Sequence, residues 1–210
     1  MWTLPDVTMQ SVDIAVLGAP GVGKSSIIQQ YVNCTFPDQH SPTKTTSVFN
    51  PAVLANQHLY QLNIVDTPPL QYFQMKSFYD WVDFQSYNPE VRDATAFILV
   101  FDVSNNDSFQ FVKDLREQIL DYRECNGTDL PIVVAGNKCD LGKCNGLSRR
   151  DMTHIVKKTW KSGYVECSAK YNWHIVSLFS EVMKLICELR DKPPTTRIRG
   201  GLRRNSCQLM

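Results

Sequence analysis

Eight residues, Gly18-Ala19-Pro20-Gly21-Val22-Gly23-Lys24-Ser25, have the spacing Gly-x4-Gly-Lys-Ser, which holds a polyphosphate. The chemistry is electrostatic. Backbone N–H groups can converge on an anion where Gly18, Gly21 and Gly23 tolerate unusual φ/ψ, a helix N-terminus adds positive dipole, and Lys24 adds a point charge. Gly21, Val22, Gly23, Lys24, Ser25 and Ser26 are the candidate phosphate-binding residues, and Ser25 would ligate a Mg²⁺ cofactor. The motif alone separates neither ATP from GTP nor a kinase from a switch.

A second constellation addresses the base. Guanine offers N1–H and the exocyclic N2 amine side by side, and one carboxylate accepts both, whereas adenine lacks that pair. In Gly136-Asn137-Lys138-Cys139-Asp140, the Asp140 carboxylate can make that selection, Asn137 can bond the ring and the surrounding loops, and the aliphatic stem of Lys138 can cover one base face. Such a site rejects analogues lacking the donors by orders of magnitude. Further on, Glu166-Cys167-Ser168-Ala169-Lys170 offers the Ala169 N–H to the guanine O6.

These residues need a scaffold, and the hydrophobic pattern supplies one. Strand-like runs at Ile14 to Leu17, Val48 to Leu54, Leu59 to Val65, Ala94 to Phe101, Pro131 to Ala135 and Tyr164 to Cys167 alternate with helical patterns. The helices are expected near Lys24 to Cys34, Ser77 to Phe84, Asp107 to Glu124, Ser148 to Lys161 and Trp173 to Arg190, with Asp107-Ser108 capping the third. Continuous apolar strands between helices predict an α/β fold, a six-stranded, mostly parallel sheet with about five helices covering both faces. Pro51 cannot donate a ladder bond, so its strand is expected at the sheet edge or bulged.

The quoted motifs, in this order, resemble those of the Ras superfamily of small GTPases over almost the whole chain, and Lys158 to Tyr171 with the final Asp-x-Pro-Pro looks like the Ras-like family ten subgroup. The resemblance implies a P-loop small G domain over residues 1–191 and a Mg²⁺-dependent GTP/GDP switch. It also implies roles for three further residues. Thr43, nineteen residues after Lys24, matches the threonine that ligates Mg²⁺ and senses the γ-phosphate; Asp66, in Asp66-Thr67, matches the aspartate that reaches Mg²⁺ through water; Phe36 falls where a ring stacks on the base. Taken alone, Phe36 reads equally well as a core ring.

The pattern breaks after Asp66-Thr67, where the family continues Ala-Gly-Gln and this chain continues Pro68-Pro69-Leu70. Pro69 has no N–H to give a γ-phosphate, and Leu70 has neither donor nor acceptor to orient an attacking water. Pro20 stands beside the place where an activating arginine would enter. No catalytic residue is therefore assigned, and slow intrinsic hydrolysis is predicted; a GTP-loaded scaffold, or pseudo-GTPase, with negligible turnover is the alternative. A P-loop phosphotransferase is disfavoured by the guanine-selective residues. His40 to Ser47 lacks acidic residues, so basic effector domains of the ordinary Ras type should bind poorly. The effector remains an unknown protein.

The chain has 210 residues, 43% hydrophobic and 20% charged, the composition of one globular domain expected as a monomer. Its longest apolar run is Ala96 to Phe101, and no secretory signal pattern opens it. Seven scattered cysteines predict no disulfides, and Cys139-x4-Cys144 has no second zinc-like pair. Lys192, Arg197, Arg199, Arg203 and Arg204 lie in residues 192–210, where no Asp or Glu occurs, so a mildly acidic body carries a flexible basic tail. That tail contains Cys207-Gln208-Leu209-Met210, a prenylation box whose methionine favours farnesyl. One prenyl chain holds membrane marginally, and the basic residues would be the second signal. The expectation is the cytoplasmic face of the plasma membrane, with a nuclear or nucleolar address as the alternative; no direct nucleic-acid partner is expected.

Overall fold

The computed structural model describes residues 9–37, 39, 41–68, 82, 85–86, 88–126, 130–142 and 148–191. At its centre is β1 (Gln10–Gly18), followed by α1 (Lys24–Asn33), β2 (Ser47–Phe49), β3 (Ala52–Ala55) and β4 (His58–Asp66). A short α2 (Pro89–Arg92) leads to β5 (Ala96–Asp102), α3 (Asn106–Asn126), β6 (Ile132–Asn137), α4 (Arg149–His154), β7 (Gly163–Glu166) and α5 (Ile175–Arg190). The helix expected at Ser77 to Phe84 lies outside the described residues except for Val82. Among the described residues, no helix is long and apolar enough to cross a membrane.

The strand order is β2-β4-β1-β5-β6-β7, with β3 also paired to β4. From β4 to β7 all pairings are parallel, while β2 and β3 run antiparallel to β4. The second expected strand is thus two, giving seven segments instead of six. Pro51 causes the break: it has no N–H for the ladder, yet its carbonyl still accepts from Leu62 N at 2.9 Å. The two pieces lie at the sheet edge, where a proline is tolerated.

Alternation along β1 divides the core. Val12, Ile14 and Val16 pack with Ile27 of α1 and Leu178, Phe179 and Val182 of α5, whereas Ala15 and Leu17 pack with Phe109, Val112 and Leu115 of α3. Tyr31 stacks on Phe179 at 3.8 Å, joining α1 to α5. Every residue of β5 is buried, as a strand covered on both faces requires. Trp160 stacks on Phe109 at 5.5 Å, so of the Trp160, Tyr164, Tyr171 and Trp173 group the first two serve the core; Tyr171 and Trp173 are about half exposed.

Two helix starts differ in character. The cap of α3 is Asn105, not Asp107-Ser108: the Asn105 Oδ1 accepts from the N–H of Asp107 at 2.9 Å, while the Ser108 hydroxyl turns back to the Asn105 carbonyl at 2.6 Å. At α4 the Ser148 hydroxyl and the Asp151 carboxylate form a reciprocal capping box. That helix then widens into a π-turn over Ile155–Thr159, closed by Trp160 N to Ile155 O at 2.9 Å.

Candidate functional site

Strands β1, β4, β5, β6 and β7 end together on one edge, which brings Gly18, Asp66, Asp102, Asn137 and Glu166 to one rim. The loop from β1 to α1 is drawn tightly over that rim. A side chain at Gly18 would run into the Val100 carbonyl oxygen, and one at Gly23 into the Asn137 amide nitrogen; both glycines have positive φ, 152° and 94°. Pro20 lies exposed on the outer side of this loop.

Lys24 begins α1 with its side chain buried, its ammonium donating to the carbonyls of Gly18 at 3.0 Å and Ala19 at 3.1 Å. Burial lowers its pKa from the ordinary 10.5 to about 8, opposed by the nearby Asp66 carboxylate. A buried cation with two donated bonds has one N–H left, and an anion in the cradle would both accept it and repay desolvation.

Beside it, the hydroxyls of Ser25 and Thr43 lie 2.7 Å apart. Asp66 is buried, its Oδ1 has no hydrogen-bond partner among the described residues, and burial holds its pKa above the ordinary carboxylate value against the pull of Ser25 and Lys24. Two oxygens ligating one Mg²⁺ at right angles lie about 3.0 Å apart, given bonds of about 2.1 Å. Two hydroxyls at nearly that spacing, next to an unpartnered buried carboxylate oxygen, fit a hard divalent cation.

On the other side, Asn137 is buried and joins three loops. Its Nδ2 donates to the Val22 carbonyl at 2.8 Å, and its Oδ1 accepts from the N–H of Ala169 at 3.1 Å. The Ala169 N–H, assigned from sequence to guanine O6, is therefore also a protein–protein donor. Lys138 occupies the left-handed region at φ 61°, a conformation costing about 1 kcal/mol or more, and its ammonium is anchored 2.8 Å from Asp102. Asp102 keeps a lowered pKa: burial opposes this, but bonds from Lys138 and Ser104 prevail. Asp140 sits half-buried in the 3₁₀ turn Cys139–Leu141 and makes no hydrogen bond or ion pair among the described residues, leaving its carboxylate available. Ser168 is buried, its hydroxyl accepting from Tyr171 N at 3.3 Å, and the Lys170 ammonium rests 5.2 Å from the Tyr171 ring centre.

Gly21, Val22, Gly23, Lys24, Ser25, Ser26, Thr43 and Asp66 thus form one side of the rim, and Asn137, Lys138, Asp140, Ser168, Ala169 and Lys170 the other. Phe36 is 42% exposed, which removes its reading as a core ring. Pro69, Leu70 and Cys207 lie outside the described residues. Three positioning residues were missed. Asp102 follows the apolar run Ala96 to Phe101, and that strand-end carboxylate was the available signal. Gln30 is buried on α1; with its amide turned to donate, it bonds the carbonyls of Ala169 at 3.1 Å and Thr35 at 3.2 Å, tying the segment before Phe36 to the base loop. Arg149 donates to the Cys139 carbonyl at 2.6 Å and braces Asp140 from behind. Nothing in the local pattern marked either of these.

The Ras family model matches residues 13–188. Ras-like protein family member 10B of Homo sapiens is 43% identical over 199 residues, covering 94% of this chain and 97% of the relative. Ras-like protein family member 10A of Mus musculus is 39% identical over 202 residues, 95% of this chain and 98% of the relative. GTP-binding protein Rhes of Homo sapiens is 32% identical over 187 residues, 84% of this chain and 65% of the relative.

Proposed function

The chain belongs to the Ras family, and from that premise we propose that it is a guanine-nucleotide switch that holds GTP or GDP with Mg²⁺, hydrolyses GTP slowly and works at a membrane surface. The observation that carries this reading is the Asn137 side chain, which bonds the phosphate loop at Val22 and the base loop at Ala169. Phosphate recognition and base recognition then belong to one rigid unit. Relatives named GTP-binding proteins favour the same ligand.

In this reading Lys24 keeps its proton at neutral pH and gives it as a charged donor to the β- and γ-phosphates. Ser25 and Thr43 would hold Mg²⁺, with Asp66 behind them, and the ion would supply positive charge against the phosphate oxygens. Asp140 accepts from both guanine donors, and the stem of Lys138, pinned by Asp102, covers one base face; Phe36 is free to meet the other.

Hydrolysis needs an oriented water and donors to the γ-phosphate. Pro69 and Leu70 supply neither, so turnover is slow and ordinary Ras activators stimulate it poorly. Those two residues also favour a second reading, a GTP-loaded scaffold without meaningful turnover. Cys207 and the basic tail are assigned to the inner leaflet, by farnesyl and charge together. Single-turnover hydrolysis of preloaded GTP tests the switch: a measurable rate well below that of a glutamine-bearing relative supports it, and an equal rate overturns slow hydrolysis. No phosphate release over many hours selects the scaffold. Membrane fractions that retain Cys207→Ser would refute the lipid anchor.

A further inference from the structure

Outside the nucleotide rim, the strongest charge feature of the described residues is α4. Arg150, His154, Lys157, Lys158 and Lys161 are all exposed, and Arg149 is half-buried beside them. With Thr153 and Glu166, Arg149 to Lys158 line an open groove of about 480 Å³. The π-turn explains why these charges converge. Residues in a wider turn advance by less than the 100° of an α-helix, so Lys157 and Lys158 stay above Arg150 and His154 instead of rotating off the face. Trp160 fixes the end of that turn, stacked on Phe109 and lying 5.1 Å below the Arg116 guanidinium.

Nearby acids do not neutralise the stripe. Asp151 is engaged by Ser148 in the capping box, and Glu166 is taken by Tyr164 at 3.0 Å and by Arg149 at 3.8 Å. Glu181 and Glu188 flank Lys184 on α5. The stripe ends at Lys161, where Trp160, Lys161 and Ser162 share a 300 Å³ cavity with Leu185, Glu188 and Leu189 of α5. The last turn of α5 immediately precedes residues 192–210, whose charged residues are all basic.

We propose that the exposed face of α4 is a second docking surface for an anionic bilayer, with Arg150, Lys157 and Lys158 seating lipid phosphate groups. Charge complementarity selects an anionic partner, and continuity with the basic tail at the end of α5 selects the membrane over an acidic protein. The stems of Lys157 and Lys158 lie along the groove wall while their ammonium groups reach outward, as snorkelling side chains do at a headgroup layer. The surface acts without the lipid anchor and without reference to the bound nucleotide. Together with the tail it gives the domain two charged attachments, and so one preferred orientation.

The test uses the full chain, unprenylated and carrying Cys207→Ser, so that failure of the lipid anchor and failure of this surface are separate results. Partition is measured onto vesicles of phosphatidylcholine alone, and of phosphatidylcholine with phosphatidylserine or phosphatidylinositol bisphosphate, at about 0.1 M salt. Binding is expected only to the anionic vesicles, and is expected to weaken as salt rises. Replacing Arg150, Lys157 and Lys158 together by alanine should lower partition roughly 5-fold per charge, on the order of 100-fold in all. Bound nucleotide content, unchanged in that variant, reports that it is folded. Equal partition of the variant and its parent overturns the proposal. So does binding to polyglutamate with none to anionic vesicles, which would assign the face to an acidic protein.

Discussion

Lys24→Met removes the buried ammonium of the cradle and keeps most of the stem's volume. Burial lowers the Lys24 pKa from 10.5 to about 8, which means that the unfolded chain holds this proton more tightly than the folded one. At 1.36 kcal/mol per pH unit, the gap amounts to about 3 kcal/mol against the nucleotide-free fold at pH 7, where both states are protonated. Between pH 8 and 10.5 the unfolded state still binds a proton that the folded state has released, so wild-type stability rises with pH across that window. The variant loses the bonds to the Gly18 and Ala19 carbonyls, which offsets about 1–2 kcal/mol of the gain. A net stabilisation of about 1–2 kcal/mol is expected for the nucleotide-free variant at pH 7, a rise of roughly 3–6 °C in Tm for a domain of this size. GDP binding should meanwhile fall by about 100-fold or more, the loss of a charge-assisted contact of roughly 3 kcal/mol. Thermal melts in chelator from pH 7 to 10, with a GDP titration, measure all three. A variant that melts below wild type at pH 7, or a wild type with no rise above pH 8, refutes the account of a cation held at a cost until phosphate arrives.

The same lysine makes affinity pH-dependent: bound phosphate raises its pKa, so binding takes up a proton above pH 8, and GDP affinity should fall up to about tenfold per pH unit there, seen by calorimetry in two buffers of different ionisation heat. Asn137→Ala strands the Val22 carbonyl and the Ala169 N–H, at about 1–3 kcal/mol each, and should speed release of a fluorescent GDP by at least roughly 30-fold; a change under twofold would contradict its role as the joint. Arg149→Ala frees the Cys139 carbonyl, and a loss of about 1–2 kcal/mol in GDP affinity, with GDP-over-ADP preference reduced, is expected in competition assays. Pro69→Gly combined with Leu70→Gln returns the missing N–H and a water-orienting amide, and should raise single-turnover hydrolysis by at least about tenfold; an unchanged rate places the limit elsewhere.

The sheet and the rim were legible because their signals are local. Each strand ending in chemistry is a continuous apolar run, and each loop motif is a short string whose residue types state their use. What escaped is tertiary. Asn105 rather than Asp107-Ser108 caps α3 because Ser108 is recruited by the end of β5, bonding the N–H and carbonyl of Asp102. The π-turn comes from seating Trp160 between Phe109 and Arg116, whose positions precede it by dozens of residues. Gln30 and Arg149 brace the base loops across 139 and 10 residues respectively, and neither residue type has a motif for that task. Pro51 was read correctly as an edge marker, but the division into β2 and β3 depends on how both halves pair with β4.

The central claim is that the rim holds a guanine nucleotide. Full-length protein purified in Mg²⁺ buffer, denatured and its released nucleotide resolved by ion-pair chromatography, should yield close to one equivalent of GDP plus GTP, with a persistent triphosphate fraction because Pro69 and Leu70 slow its loss. Recovery of adenine nucleotide, or of no nucleotide from folded protein, would contradict the account.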